Sequence, residues 1–244
     1  MIGSIRVLLA IALGATGLSF ARADDEFATE RNALMQEIAA LARETAAETG
    51  RPAFEPRVMS VLATVPRHRF VPATEVRAAY RNRPLPIGHG QTISQPYIVA
   101  LMTDLMRVKP NDVVLEIGTG SGYQAAILAE LGADVCTIEI IEALAREAAE
   151  RLRTLGYSRV RPRIGDGYYG WEECGPFDAI VVTAAASHVP PSLVRQLKPG
   201  GRIVVPVGPP FLAQHLMLVD KRADGTIQTR QILPVAFVPL TGKH

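Results

Sequence analysis

Glu116-Ile117-Gly118-Thr119-Gly120-Ser121-Gly122-Tyr123 is the stretch on which the reading of this chain turns. Just before it, Val113 to Ile117 is a short apolar run, as expected of a buried strand. Just after it, Gln124 to Leu131 reads as a helix. Glycines between a strand and a helix allow a tight turn and let a ligand approach the backbone closely. The first N–H groups of the helix then face that ligand. A dinucleotide-binding turn follows G-x-G-x-x-G. Here the third glycine, Gly122, comes one residue early, and Tyr123 stands where that pattern wants glycine.

Carboxylates at the ends of neighbouring strands sharpen the reading. Glu116, at a strand end, suits a ligand that carries a cation and lacks a pyrophosphate. Glu139 ends a second strand, Asp134 to Ile138, about 20 residues past the glycines; at that spacing a carboxylate can accept both ribose hydroxyls. Gly165-Asp166-Gly167 follows a weaker third strand, Val160 to Ile164. Asp166 can accept a bond from an adenine amino group or simply serve the turn. These features favour S-adenosylmethionine over a nicotinamide dinucleotide. The candidate cofactor-binding residues are Glu116, Gly118, Thr119, Gly120, Gly122, Glu139, Asp166 and Gly167.

Farther out the alternation continues. Ala143 to Leu155 reads as a helix, Asp178 to Val182 as a strand, Pro191 to Leu197 as a helix and Arg202 to Val207 as a strand. Alternating strands and helices give a parallel sheet with helices on both faces. From Leu216 to Val238 the pattern shifts to strands joined by the turn Asp224-Gly225, antiparallel additions at the sheet edge. On the other side, Phe27 to Glu48 and Val58 to Val65 have helical spacing, and Arg81 to Gly90 reads as an irregular loop. Ser94-Gln95-Pro96 reads as a helix start, with Ser94 as N-cap and Pro96 in the first turn. The expected fold class is α/β, a doubly wound, mostly parallel Rossmann-like sheet with a helical N-terminal segment and antiparallel C-terminal strands. The expected division is 1–23 signal peptide, 24–110 helical segment and substrate loop, and 111–244 cofactor-binding domain.

Arg6, the apolar stretch Val7 to Leu18 and the small-x-small triplet Ala21-Arg22-Ala23 are the parts of a secretory signal, cleaved before Asp24. The stretch is short for a membrane span. The expected location is therefore periplasmic or exported, with no stable membrane association after cleavage. A net charge of +2, with no basic run interleaved by aromatics, argues against a nucleic-acid partner. Two cysteines, Cys136 and Cys174, make neither a disulfide framework nor a metal site, and both are expected to act as small buried hydrophobes. No metal is expected. The loop after the fourth strand, Thr183 to His188, lacks the Asp/Asn-Pro-Pro-aromatic motif by which amino-directed nucleic-acid methyltransferases hold a base. His188 reads as a loop residue rather than a general base.

Gly88-His89-Gly90-Gln91-Thr92-Ile93-Ser94-Gln95-Pro96 resembles the substrate-loop signature of protein-L-isoaspartate O-methyltransferases. VLEIGTGSGYQAA (114–126), TIEI (137–140), GDGYYGW (165–171), FDAIVVTAAA (177–186), QLKPGGRIVVPVG (196–208) and FVPLTG (237–242) are similar to that family's other motifs, in order. The resemblance implies methyl transfer from S-adenosylmethionine to the α-carboxylate of isoaspartyl residues in damaged peptides and proteins. It implies Ser94 as the catalytic residue, with His89, Gln91, Thr92, Ile93, Gln95 and Pro96 forming the substrate loop. A monomer is expected. In two respects the chain departs from the family. Ala236 stands where many bacterial members carry Arg, and the family is otherwise cytosolic. An exported binder of damaged proteins without methyl transfer, or another class I methyltransferase, stays open at this point.

Overall fold

The described part of the chain opens, in this computed structural model, with amphipathic helices that have no sheet of their own to cover. The structure describes residues 26–209 and 212–243; the signal-like segment 1–23 lies outside them. Helix α1 spans Ala28–Glu44 and buries Leu34, Ile38 and Ala42 on one stripe. The helix expected through Glu48 breaks at Thr45, and Ala46–Thr49 follows as a single turn, α2. The Thr45 hydroxyl bonds back to the Leu41 carbonyl and also meets the Tyr97 hydroxyl. Such back-bonding competes with the helical ladder. Helix α3, Pro56–Thr64, buries Val58 and Leu62.

Residues 81–90 are not wholly irregular, as the sequence reading had them. Leu85–Gly88 (β1) pairs antiparallel with Gln91–Ile93 (β2). Leu85 and Ile87 alternate inward with period two, and Gly88, His89 and Gly90 all take positive φ to turn the chain. The two prolines and two glycines had masked this short alternation.

Helix α4, Pro96–Met106, follows at once. Its N-cap is Gln95, and no side chain caps from that position. This corrects the assignment of Ser94 as the cap. Pro96 has no N–H to satisfy, and Asn82 reaches back across the loop to accept the Tyr97 N–H at 3.0 Å. The distant Asn82 therefore does the work that local spacing had assigned to Ser94.

The expected alternation then holds: β3 (Val113–Ile117), α5 (Tyr123–Glu130), β4 (Asp134–Glu139), α6 (Glu142–Thr154), β5 (Val160–Ile164), β6 (Phe177–Val182), α7 (Pro191–Gln196), β7 (Leu197–Val207), β8 (Gln214–Lys221) and β9 (Ile227–Val235). The sheet order is β5-β4-β3-β6-β7-β8-β9. Strands β3 to β7 are parallel, and β8 and β9 are antiparallel additions at the edge. Val114, Val135 and Val181 face a core shared with the N-terminal helices and with α4, α5 and α6. Leu115, Ile117, Ile138 and Ile180 face the other side, where α7 and Phe177 pack. The N-terminal helices thus share one continuous core with the sheet. Strand order reverses between β3 and β6, so the carboxyl ends of those strands open the crevice where ligands bind in such sheets.

The cysteines differ from expectation. Cys136 on β4 and Cys174 in the loop before β6 are disulfide-bonded, with Cα atoms 6.6 Å apart. Both lie on the α7 side of the sheet. Their meeting depends on how the chain returns across a sequence separation of 38, which spacing alone does not disclose.

Candidate active site

Four strand ends and two covering segments build one cavity at the switch point. It is lined by Ile117, Gly118 and Gly120 after β3, Glu139 to Ile141 after β4, Gly167 after β5, and Thr183 and Ala184 after β6. Gln91 and Thr92 from the hairpin and Val238 to Thr241 from the C-terminus close it over. That C-terminal strap is held by backbone bonds from Ala185 N–H to the Val238 carbonyl and from Leu240 N–H to the Ala185 carbonyl. Lys243 N–H adds a bond to an Asp166 carboxylate oxygen at 3.2 Å.

The backbone approach at this cavity is close. Gly118 has φ +95°, and a methyl placed on it would overlap the Thr183 hydroxyl. A methyl on Gly167 would overlap Ile117. Glu139 is nearly buried, with one oxygen accepting Gly120 N–H and the other accepting Ile141 N–H, each at 2.9 Å. A carboxylate has about four acceptor sites, so two remain for hydroxyls of a ligand.

Other candidates take different places. Gly122 lines none of these cavities; a methyl there would meet Leu152 at 3.2 Å, so this glycine lets α5 pack on α6. Asp166 caps the 3₁₀ turn Gly167–Tyr169 by accepting Tyr168 N–H, and its other oxygen takes the strap. The Thr119 hydroxyl turns inward to Thr137, which donates to Glu116 at 2.5 Å. Glu116 is fully buried, and burial pushes its carboxyl up to about 8; the nearby Glu139 charge acts in the same direction and the Thr137 bond opposes it. Its second oxygen meets no hydrogen-bond partner of good geometry among the described residues, and Glu116 borders a small space of about 30 Å³ shared with Ser94, Gly118 and Gln124. An orphaned carboxylate oxygen beside room for one water-sized group fits the ammonium end of an amino-acid ligand.

A second opening, a groove of about 380 Å³, adjoins the cavity. Thr92, Ser94, Gln95 and Ile98 form one side, and Pro234 to Val238 form the other. Among the described residues no ionisable side chain lines it. Of the substrate-loop candidates, Gln91 faces the cofactor-side cavity, Ile93 borders the small inner space and Pro96 is buried as the first residue of α4. His89 is exposed at the hairpin tip and lines neither opening. His188 also lies outside, bonded to Tyr168 and Ser187.

The sequence reading missed two residues. Arg67 is wholly buried, donating to the Ala79 and Ser94 carbonyls at 2.9 Å each, with its guanidinium 5.0 Å over the Tyr123 ring. Burial lowers its pKa to about 10, so it stays charged at neutral pH. It ties the substrate loop to the first residue of α5. Thr183 lies within FDAIVVTAAA, but nothing in that pattern gave it a role of its own. Arg67 stands in the basic run Arg67-His68-Arg69, where nothing local separates a buried guanidinium from an exposed one such as Arg69.

The comparisons with known proteins agree with this geometry. Residues 45–244 match the family Protein-L-isoaspartate(D-aspartate) O-methyltransferase (PCMT). Protein-L-isoaspartate O-methyltransferase 1 of Cupriavidus necator is 64% identical over 98% of this chain and 94% of its own. Protein-L-isoaspartate O-methyltransferase 2 of Syntrophobacter fumaroxidans is 60% identical over 99% and 98%. Among solved structures, a protein-L-isoaspartate O-methyltransferase superposes with TM-score 0.74 at 26% identity, over 85% of this chain and 66% of that one. A Plasmodium falciparum structure of the same name, in complex with S-adenosyl-L-homocysteine, gives 0.70 at 25%, over 86% and 97%. With the family match spanning most of its length and the glycine turn, Glu139 and the Ser94 loop gathered at one crevice, this chain belongs to the protein-L-isoaspartate(D-aspartate) O-methyltransferase family.

Proposed function

We propose that this chain transfers a methyl group from S-adenosylmethionine to the free α-carboxylate of L-isoaspartyl residues in damaged proteins. The observation that carries this reading is the pair of adjoining openings. One is a glycine-walled cavity with Glu139 at its edge; the other is a groove without ionisable side chains that begins at Ser94. When bound, the cofactor supplies an electrophilic methyl on a sulfonium centre. Glu139 holds the ribose hydroxyls, the Gly118 and Gly120 backbone makes room for the ligand, and Glu116 faces its amino group. An α-carboxylate titrates near 3.5, so it arrives ionised. With no proton to remove, the site requires no general base, and neither His89 nor His188 is placed to be one. What remains is orientation: holding the reacting atoms in line can supply about 7–11 kcal/mol. Ser94 donates its hydroxyl to the carboxylate, while the buried Arg67 charge behind its carbonyl adds a favourable field. Ile98 and Phe237 give the groove apolar walls beside the reacting groups.

The test is tritiated methyl transfer to an isoaspartyl peptide beside its aspartyl twin. Labelling of the first alone is expected; equal or absent labelling would overturn the reading.

The mature chain acts as a monomer, off the membrane, in an oxidising compartment outside the cytosol. The signal-like segment 1–23 and the Cys136–Cys174 disulfide support the location, since such bonds persist where thiols are not kept reduced. Mass spectrometry of protein from its host should find a chain beginning at Asp24. A cytosolic chain that retains Met1 would refute export.

A further inference from the structure

Thr183 follows the last residue of β6 and is half-buried at the crossing of every opening in the site. It lines the cofactor-side cavity, the substrate groove and the small inner space. Only Thr92, on the opposite hairpin, shares that position among the described residues. The methyl donor must occupy the cavity and the acceptor carboxylate the groove. Their reacting atoms must therefore meet beside Thr183.

Its bonds are equally particular. Thr183 N–H donates to the Ile117 carbonyl at 2.9 Å. Its hydroxyl reaches the Gly118 carbonyl at 2.7 Å and the Ile117 carbonyl at 3.0 Å. A threonine hydroxyl has one proton, which is directed to these carbonyls, so Thr183 is not a donor to the substrate carboxylate. Two residues on, Ala185 carries both backbone bonds of the C-terminal strap. One short segment thus sets the height of the glycine turn, the floor of the groove and the seat of the strap.

We infer that Thr183 is a positioning residue for methyl transfer: its hydroxyl pins the Gly118 carbonyl and thereby fixes the bound donor in line with the carboxylate held at Ser94. This rests on the methyltransferase reading above. It goes beyond that reading in assigning the alignment of the two openings to a residue whose hydroxyl proton is spent on backbone carbonyls.

Thr183→Val keeps the shape and removes the hydroxyl, while Thr183→Ser keeps the hydroxyl. The experiment measures isoaspartyl-peptide turnover at saturating cofactor, the peptide KM, the Kd of S-adenosyl-L-homocysteine by calorimetry, and thermal melting of both variants. Thr183→Val should lose at least tenfold in kcat, with KM and Kd each moving less than threefold, and Thr183→Ser should stay within threefold of the parent in kcat. Unchanged kcat in Thr183→Val would overturn the inference. So would a loss confined to Kd, which would mark a cofactor-binding contact only. Equal loss in both variants with lowered melting would mark a structural role and overturn it as well. If the parent protein itself binds S-adenosyl-L-homocysteine but transfers no methyl to the isoaspartyl peptide, the functional reading fails and this inference with it. A parent that transfers methyl beside an unaltered Thr183→Val would sink the inference alone.

Discussion

At the scale of single residues, two side chains separate roles that sequence spacing had merged. Ser94 borders the groove, but Asn82 caps α4. Ser94→Ala should therefore lower isoaspartyl turnover by one to two decades, the worth of one neutral-to-charged hydrogen bond at about 1.5–3 kcal/mol. Its thermal melt should stay within error of the parent. Asn82→Ala should show the converse stability loss of about 1 kcal/mol. A melt that falls in the first variant and not in the second would reverse the assignment. Glu116 makes a different kind of prediction. In the folded chain its carboxyl is raised to about 8 by burial, against an ordinary value of 4.5. The folded state keeps its proton between those values, while the unfolded state loses it. The stability this group contributes is then complete below about pH 4.5 and declines as pH rises to about 8. Glu116→Gln should flatten that decline, leaving the cofactor-free variant more stable than the parent at pH 8.5 in urea melts. A parallel pH dependence in both proteins would mean Glu116 is already ionised in the fold. Legibility at this scale was uneven. Glu139 and the glycines stood out because cofactor binding fixes their spacing along the chain. Arg67 and Thr183 act through bonds to residues 27 and 65–66 positions away, which no local pattern encodes.

At the scale of elements, the C-terminal strap is the piece with the most to do for its size. Strand β9 ends at Val235, and among residues 237–243 only Pro239 forms an isolated bridge, to Ala185. They supply one wall of the cofactor-side cavity and the Lys243 bond to Asp166. Deleting 237–244 should preserve the far-ultraviolet circular dichroism while weakening S-adenosyl-L-homocysteine binding at least tenfold in calorimetry. Retained affinity would show the strap to be ornamental to the pocket. The parallel strands and their helices were readable because buried strands of four to eight apolar residues, punctuated by glycine, have few other interpretations. The hairpin β1–β2 was not, since three consecutive residues of positive φ and a proline inside β1 conceal a pairing only three residues deep. The break at Thr45 depends on a hydroxyl that answers to Tyr97, 52 residues on.

For the whole molecule, the Cys136–Cys174 bond closes a loop of 38 residues that carries β5, the Gly167 turn and one lip of the cavity. Chain-entropy arguments give about 2–4 kcal/mol for such a crosslink. Cys174→Ser should lower unfolding free energy by that amount, and the parent melted with a reductant should match it. If neither treatment moves the melt, the thiols are not joined in solution. The doubly wound architecture was legible throughout from alternation alone, whereas the sharing of one core between residues 26–110 and the sheet required the fold. The groove carries a final consequence. Because its described walls present small hydroxyls, the Gln95 amide and hydrocarbon, with no fixed charge, flanking residues of either sign meet the same indifferent surface. Discrimination then falls on the geometry of the kinked main chain itself. An enzyme so built is a generalist. It can survey an unspecified population of ageing proteins, each damaged at a different sequence, without a recognition code to outgrow.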